Sequence, residues 1–126
     1  MERITRIRER LQEHGVDVFL GSNAVTRRYL TGFTGSAGFV WITPTQQALL
    51  TDFRYVEQVK AQSPSWELIQ IENVTDTLQA LVDRDQVKRI AFEADQVTVK
   101  QLQDWEEKIS AQFVGVTGWV QQLRII

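Results

Sequence analysis

Ser36, His14 and the acidic side chains are the groups here that could carry a reaction, and their setting decides which reactions are open. A serine nucleophile needs a histidine base and an acid that orients it, joined by the fold and not by sequence spacing. The chain has a single histidine. His14 belongs in the last turn of a helix, where a protonated ring would suit the negative end. Ser36 lies in Gly35-Ser36-Ala37-Gly38, which is not the G-x-S-x-G turn that exposes a hydrolase serine. No triad is expected. A transition-metal site without cysteine would have to be nearly all carboxylate. Asp17, Asp52, Glu57, Glu67, Glu72, Asp76, Asp83, Asp85, Glu93 and Asp95 show no i, i+4 histidine pair and no calcium-loop spacing. Most fall where caps, turns and solvated faces would put them. No catalytic residue and no metal ligand is therefore expected in the chain. Nothing promotes any one carboxylate pair for sugar hydrolysis.

The stretch Asn23 to Ile42, NAVTRRYLTGFTGSAGFVWI, holds the remaining candidates. Gly32, Gly35 and Gly38 follow Tyr29 and surround Phe33, with Gly21 upstream. Glycines this dense mark a backbone that turns sharply or admits a close approach. A phosphate cradle would need G-x-x-x-x-G-K-[ST]. The loop has no lysine, and it leads into a strand, so no helix N-terminus faces an anion. Nucleotide binding is not expected. By residue type alone, Tyr29 and Phe33 read as core, the glycines as turns, and Asp52 as a cap with Arg54 on its helix surface.

The elements that must position this stretch read as alternating helices and strands. Ile4, Ile7 and Leu11 recur at helical spacing over residues 2–14, and Gly15 ends that helix. Val16 to Leu20 reads as a strand, and Asn23 as the cap of a short helix through Tyr29 or Leu30. Phe39–Thr43 and Gln47–Thr51 form a hairpin about Pro44-Thr45. Asp52 caps a helix with Phe53, Val56 and Val59 on one face, stopped at Ser63-Pro64. Trp66–Ile71 is the next strand, and Thr75 or Asp76 opens a helix with Leu78, Leu81 and Val82 inward. Arg89–Phe92 is a strand. Thr98 and Gln101 have capping-box spacing before the stripe Leu102, Trp105, Ile109. Phe113–Val116 closes the series, with a turn near Trp119–Leu123. The pattern predicts one α/β domain over residues 1–126, a three-layer α-β-α sandwich with a mixed sheet of about five or six strands.

The totals agree. A chain of 126 residues can bury roughly two thirds of its unfolded surface. Hydrophobic content of 43%, charged content of 24% and net charge −2 are ordinary for a globular domain. No electrostatic field favours nucleic acid. Arg3, Arg6, Arg8 and Arg10 are interleaved with Glu2, Glu9 and Glu13, which reads as a solvated helix face. The charged start is no signal peptide, and no apolar run reaches the ~20 residues a membrane helix needs. A cytoplasmic protein without a membrane partner is expected.

Asn23…Tyr29-Leu30-Thr31-Gly32-Phe33-Thr34-Gly35-Ser36, then an apolar strand, then Leu50-Thr51-Asp52-Phe53-Arg54-Tyr55, resembles the amino-terminal domain of the creatinase/prolidase/aminopeptidase P family. The likeness runs over essentially the whole chain, and Leu123-Arg124-Ile125-Ile126 resembles the connector into that family's catalytic domain. The resemblance implies a noncatalytic piece of a longer Xaa-Pro peptidase, an aminopeptidase P or a prolidase. It implies a missing "pita-bread" catalytic domain with two divalent metals, manganese or cobalt, held by two Asp, one His and two Glu that belong after Ile126. It also implies a homodimer, with Thr31, Phe33, Thr34 and Ser36 in the loop that helps wall the partner's site for a proline-containing peptide. Arg54, in the D-x-R-Y segment, would neutralise an acidic group, structural or at a substrate carboxylate. Two alternatives share the likeness. One is a creatinase-type amidinohydrolase, whose basic, aromatic loop is not matched by Thr34-Gly35-Ser36-Ala37. The other is a module kept for protein interaction.

Overall fold

The computed structural model describes residues 2–124. The connector expectation at Ile125-Ile126 lies outside them. The first helix, α1 (Glu2–His14), buries Ile4, Ile7 and Leu11 and ends at Gly15, whose φ of +62° suits glycine. Then follow β1 (Val18–Gly21), α2 (Ala24–Thr31), β2 (Phe39–Ile42) and β3 (Gln47–Thr51). A single 3-10 turn (Phe53–Tyr55) leads into α3 (Val56–Gln62), β4 (Glu67–Gln70), α4 (Val74–Arg84) and β5 (Arg89–Glu93). The chain continues through α5 (Val99–Lys108), β6 (Gln112–Val116) and α6 (Trp119–Arg124).

The six strands form one sheet in the order β4-β3-β2-β1-β5-β6. Only β2 runs against the others, because it pairs antiparallel with both β1 and β3 while the remaining pairs are parallel. Alternation along the strands divides the core between the two faces. Phe19, Val40, Ile42, Leu49 and Ala91 pack under α1, α2, α3 and α6. Val18, Leu20, Trp41, Leu50, Ile90 and Phe92 pack under α4 and α5. This is the expected three-layer mixed α/β architecture.

Three details differ from the expectation. Asn73, and not Thr75 or Asp76, caps α4, because its side chain reaches the Asp76 N–H at 3.0 Å. Asp52 caps the 3-10 turn, and the turn swings Phe53 outward to 72% exposure, so only Val59 of the proposed stripe is fully buried. The arginines of α1 are also more than a solvated face. Arg3 donates to the Tyr29 carbonyl, Arg8 to those of Thr43 and Gln46, and Arg10 to the Gln122 side chain. They staple α1 to α2, to the β2–β3 hairpin and to α6. Their aliphatic stems reach those carbonyls while their heads stay near water.

Candidate functional site

The loops that follow β1, β3 and β5 leave the same edge of the sheet, and the glycine loop before the reversed strand β2 enters there. That edge, at the carboxyl ends of the parallel strands, is where α/β sheets present ligand-contacting loops. Asn23 caps α2 by accepting the Val25 N–H at 2.8 Å, and Gly32 ends it at φ +79°.

The loop between α2 and β2 is fixed at almost every residue. Thr31 is buried; its hydroxyl donates to the Arg27 carbonyl at 2.6 Å and accepts the Phe33 N–H at 3.0 Å. The Thr31 carbonyl accepts from Ser63 at 2.7 Å. Phe33 is buried and meets Tyr55 edge-on at 5.8 Å. Gly35 lies directly over that ring, since a Cβ there would stand 2.1 Å from Phe33 Cζ. Thr34 is exposed; its N–H donates to Gln62 at 3.0 Å and its hydroxyl accepts from Gln58 and Gln62. Ser36 is exposed and shares a 2.5 Å hydrogen bond with the Tyr55 hydroxyl. Thr51 donates to the Ala37 carbonyl at 2.8 Å. Gly38 has φ +149°, and a Cβ on it would stand 2.7 Å from the Leu50 carbonyl oxygen.

The structure thus joins Phe33, Thr34 and Ser36 to the segment that follows β3, but the candidates do not all face outward. Thr31 and Phe33 work inward, holding the helix end and the loop floor. Thr34 and Ser36 present polar atoms to solvent. Arg54 is occupied by its own turn: Nε and Nη2 meet the two Asp52 oxygens at 2.9 and 2.7 Å, and the guanidinium lies 5.1 Å from the Tyr55 ring centre. That bidentate bond holds the Asp52 carboxyl below its ordinary value and the Arg54 guanidinium above its own. The acidic group that Arg54 neutralises within this chain is Asp52.

Two buried charged residues lie next to the loop and the β1–α2 turn: Arg27, which the sequence reading did not single out, and Glu93, which it tested only as a metal ligand. Arg27 is only 4% exposed; its Nη1 donates to the Ser22 and Gly38 carbonyls at 3.1 and 2.9 Å and its Nη2 to Gly35 at 3.4 Å. Its Nε is buried without a partner. Burial lowers the Arg27 pKa, opposed by the nearby Glu93 charge. Glu93 is 5% exposed and accepts from Thr26 at 2.6 Å and from the Ser22 and Asn23 N–H groups at 3.2 and 3.4 Å. Burial pushes its carboxyl up, against those three hydrogen bonds. A signal for both was in the sequence. Helical spacing from Asn23 puts Arg27 on the same inner face as Leu30, and Glu93 directly continues the apolar run of β5.

None of this gathers a reactive set. His14 bonds through Nδ1 with the Arg10 carbonyl and lies against Trp119, 5.1 Å between ring centres, and its partners are not those of Ser36. Among the described residues, no group of three or more His, Cys, Asp or Glu is placed to hold a metal ion. The donor set here does not fit a two-metal centre. Other acids have local duties: Asp17 accepts the Lys88 and Arg89 N–H groups at 2.8 and 2.9 Å, and Glu67 pairs with Arg84 at 2.7 Å. No helix among the described residues is long and apolar enough to cross a membrane.

Residues 3–126 match the family model described as Creatinase/Prolidase N-terminal domain. The chain is 34% identical over 130 residues to an uncharacterized peptidase, YqhT, of Bacillus subtilis, covering 98% of this chain and 36% of that protein. It is similar in structure to an Xaa-Pro dipeptidase from Bacillus anthracis, with 36% identity and a TM-score of 0.95, over 100% of this chain and 36% of the other. It is also similar to the N-terminal domain of the cytoplasmic peptidase PepQ from Mycobacterium tuberculosis, with 29% identity and a TM-score of 0.88, over 98% of both chains. The chain therefore spans about a third of the length of the Bacillus subtilis and Bacillus anthracis proteins.

Proposed function

Since the chain belongs to the creatinase/prolidase N-terminal domain family, we propose that it serves as the noncatalytic amino-terminal domain of a metal-dependent Xaa-Pro peptidase, where it shapes substrate access and dimer assembly. The catalytic domain, with its two divalent metals (manganese or cobalt), is a separate part of that longer protein. The proposed substrate is a proline-containing peptide, and the proposed partners are the catalytic domain and a second copy of the whole protein.

One observation carries this reading. The loop at the carboxyl edge is anchored at almost every residue, yet leaves Thr34 and Ser36 exposed, and among the described residues no group of three or more His, Cys, Asp or Glu is placed to hold a metal ion. Such a loop suits steric and hydrogen-bonding selection and not bond breaking. The creatinase-type alternative gains nothing, because the basic side chain under the loop, Arg27, is buried and directs its two terminal nitrogens to carbonyls of this chain.

Ser36→Trp in the longer protein tests the wall. The substitution should raise KM for peptides with a bulky residue before proline more than for glycine, with kcat changed less than KM. Equal effects on both peptides would contradict the role.

A further inference from the structure

We propose that Arg27 is the positioning residue of the 32–38 loop, a buried cation that ties the loop's carbonyls to the β1–α2 turn and so fixes the direction in which Ser36 and Thr34 face. The inference rests on the reading of this loop as a wall of a peptide site. Three facts carry it. The guanidinium bridges the two segments just beyond the last β1–β2 pair, Gly21 with Val40: Ser22 on one side, Gly35 and Gly38 on the other. Glu93 fixes the opposite side of that turn through the Ser22 and Asn23 N–H groups and the Thr26 hydroxyl, so the cation is anchored to a braced segment. Finally, Arg27 is a costly choice for core filling, being 4% exposed with Nε unpaired. Replacing it by an apolar side chain leaves the Ser22, Gly35 and Gly38 carbonyls without their donor and Glu93 without its nearby cation, so a cost in stability is expected whatever its role. A residue that served the fold alone would loosen the whole chain when removed. A residue that serves the loop would loosen the loop first.

That contrast makes the test. In the 126-residue chain, thermal unfolding and backbone ¹⁵N order parameters are measured for Arg27→Met and Arg27→Lys. The expected result is divergence. In Arg27→Met the chain still folds, with a lowered midpoint of unfolding, while order parameters at Gly35, Ser36 and Gly38 fall from about 0.85 toward 0.6 or below and those of the sheet hold. Arg27→Lys, with one compact donor group in place of the fork, restores part of that order. Unchanged order parameters in Arg27→Met would overturn the proposal. So would a variant that loses order throughout, or fails to fold while Arg27→Lys resembles the starting chain, since Arg27 would then hold the fold and not the loop. A separate readout isolates the wall reading. In the longer protein, Arg27→Met should raise KM for an Xaa-Pro dipeptide by more than it lowers kcat. A loop that loosens without that change would keep the clamp and remove the wall.

Discussion

Gly35 is the residue where sequence and structure meet most sharply, because the Phe33 ring fills the space where a side chain would begin. A Cβ would stand 2.1 Å from Phe33 Cζ and 2.8 Å from both flanking ring carbons, so the buried ring would have to shift. Gly35→Ala should destabilise the chain by about 1–3 kcal/mol in urea unfolding, the usual cost of overpacking. Gly32→Ala should cost about 1 kcal/mol from its left-handed backbone alone, since the nearest atom to a Cβ there is 3.5 Å away. If the two substitutions cost the same, the ring contact is not what requires glycine at 35. Glu93 gives a prediction of the opposite kind. Burial holds its carboxyl above the ordinary value of 4.5, so the native state keeps that proton more tightly than the unfolded chain. The stability it contributes is complete below that ordinary value and is lost as pH rises through the raised one. Glu93→Gln removes the titration. Its melting temperature should gain on that of the unsubstituted chain as pH rises above the ordinary value of 4.5, and parallel curves would contradict the sign. The glycines and the aromatic pair were legible as a loop from residue type. Arg27 and Glu93 carried only a weaker signal, their place on an apolar helix face and at the end of an apolar strand, which their charge overrode because charge normally marks surface.

At the scale of elements, caps and ties decide where helices begin and how they meet the sheet. Asn73 opens α4, and its side chain also engages Thr75 at 3.0 Å. Asn73→Ala should cost about 1 kcal/mol, while Asp76→Ala should cost only a few tenths. The reverse order in thermal melts would restore Asp76 as the cap. The far end of α4 is held by Trp41, which donates from Nε1 to Asp85 at 2.8 Å, and by Arg84, which reaches both Asp85 and Glu67. Burial raises the Asp85 pKa, but the Arg84 and Trp41 hydrogen bonds outweigh it and leave the carboxyl below 3.8. The stability from Asp85 is therefore present above that value and is lost as pH falls through the lower one. Asp85→Ala should cost about 1–3 kcal/mol by leaving a buried indole N–H unpaired. Loss below about 0.5 kcal/mol would mean that water replaces the carboxylate. Order and type of most elements could be read from hydrophobic period and turn residues. The start of α4 could not, because Asn73, Thr75 and Asp76 are all competent caps and only backbone geometry chooses among them. The place of Phe53 was equally hidden, since the 3-10 turn breaks the helical spacing that would have carried it inward.

Over the whole molecule, one reversed strand sets the arrangement. Because β2 runs against its neighbours, the loop before it returns to the edge where β1, β3 and β5 end, and the two recognised segments, far apart in sequence, become adjacent through Ser36 and Tyr55. The layers and the mixed sheet followed from alternating helix and strand signals. Strand order did not, because β1 joins β2 and β5 by pairings that no local pattern announces. The edge holds exposed polar and apolar side chains, and among the described residues no group of three or more His, Cys, Asp or Glu is placed to hold a metal ion. The proposed function assigns selection to this edge and bond breaking to the catalytic domain. The most direct measurement is the hydrolysis of an Xaa-Pro dipeptide by the purified 126-residue chain with added Mn²⁺ or Co²⁺. The account predicts no proline release above the metal-only control. Metal-dependent turnover that follows the folded chain through purification would contradict it.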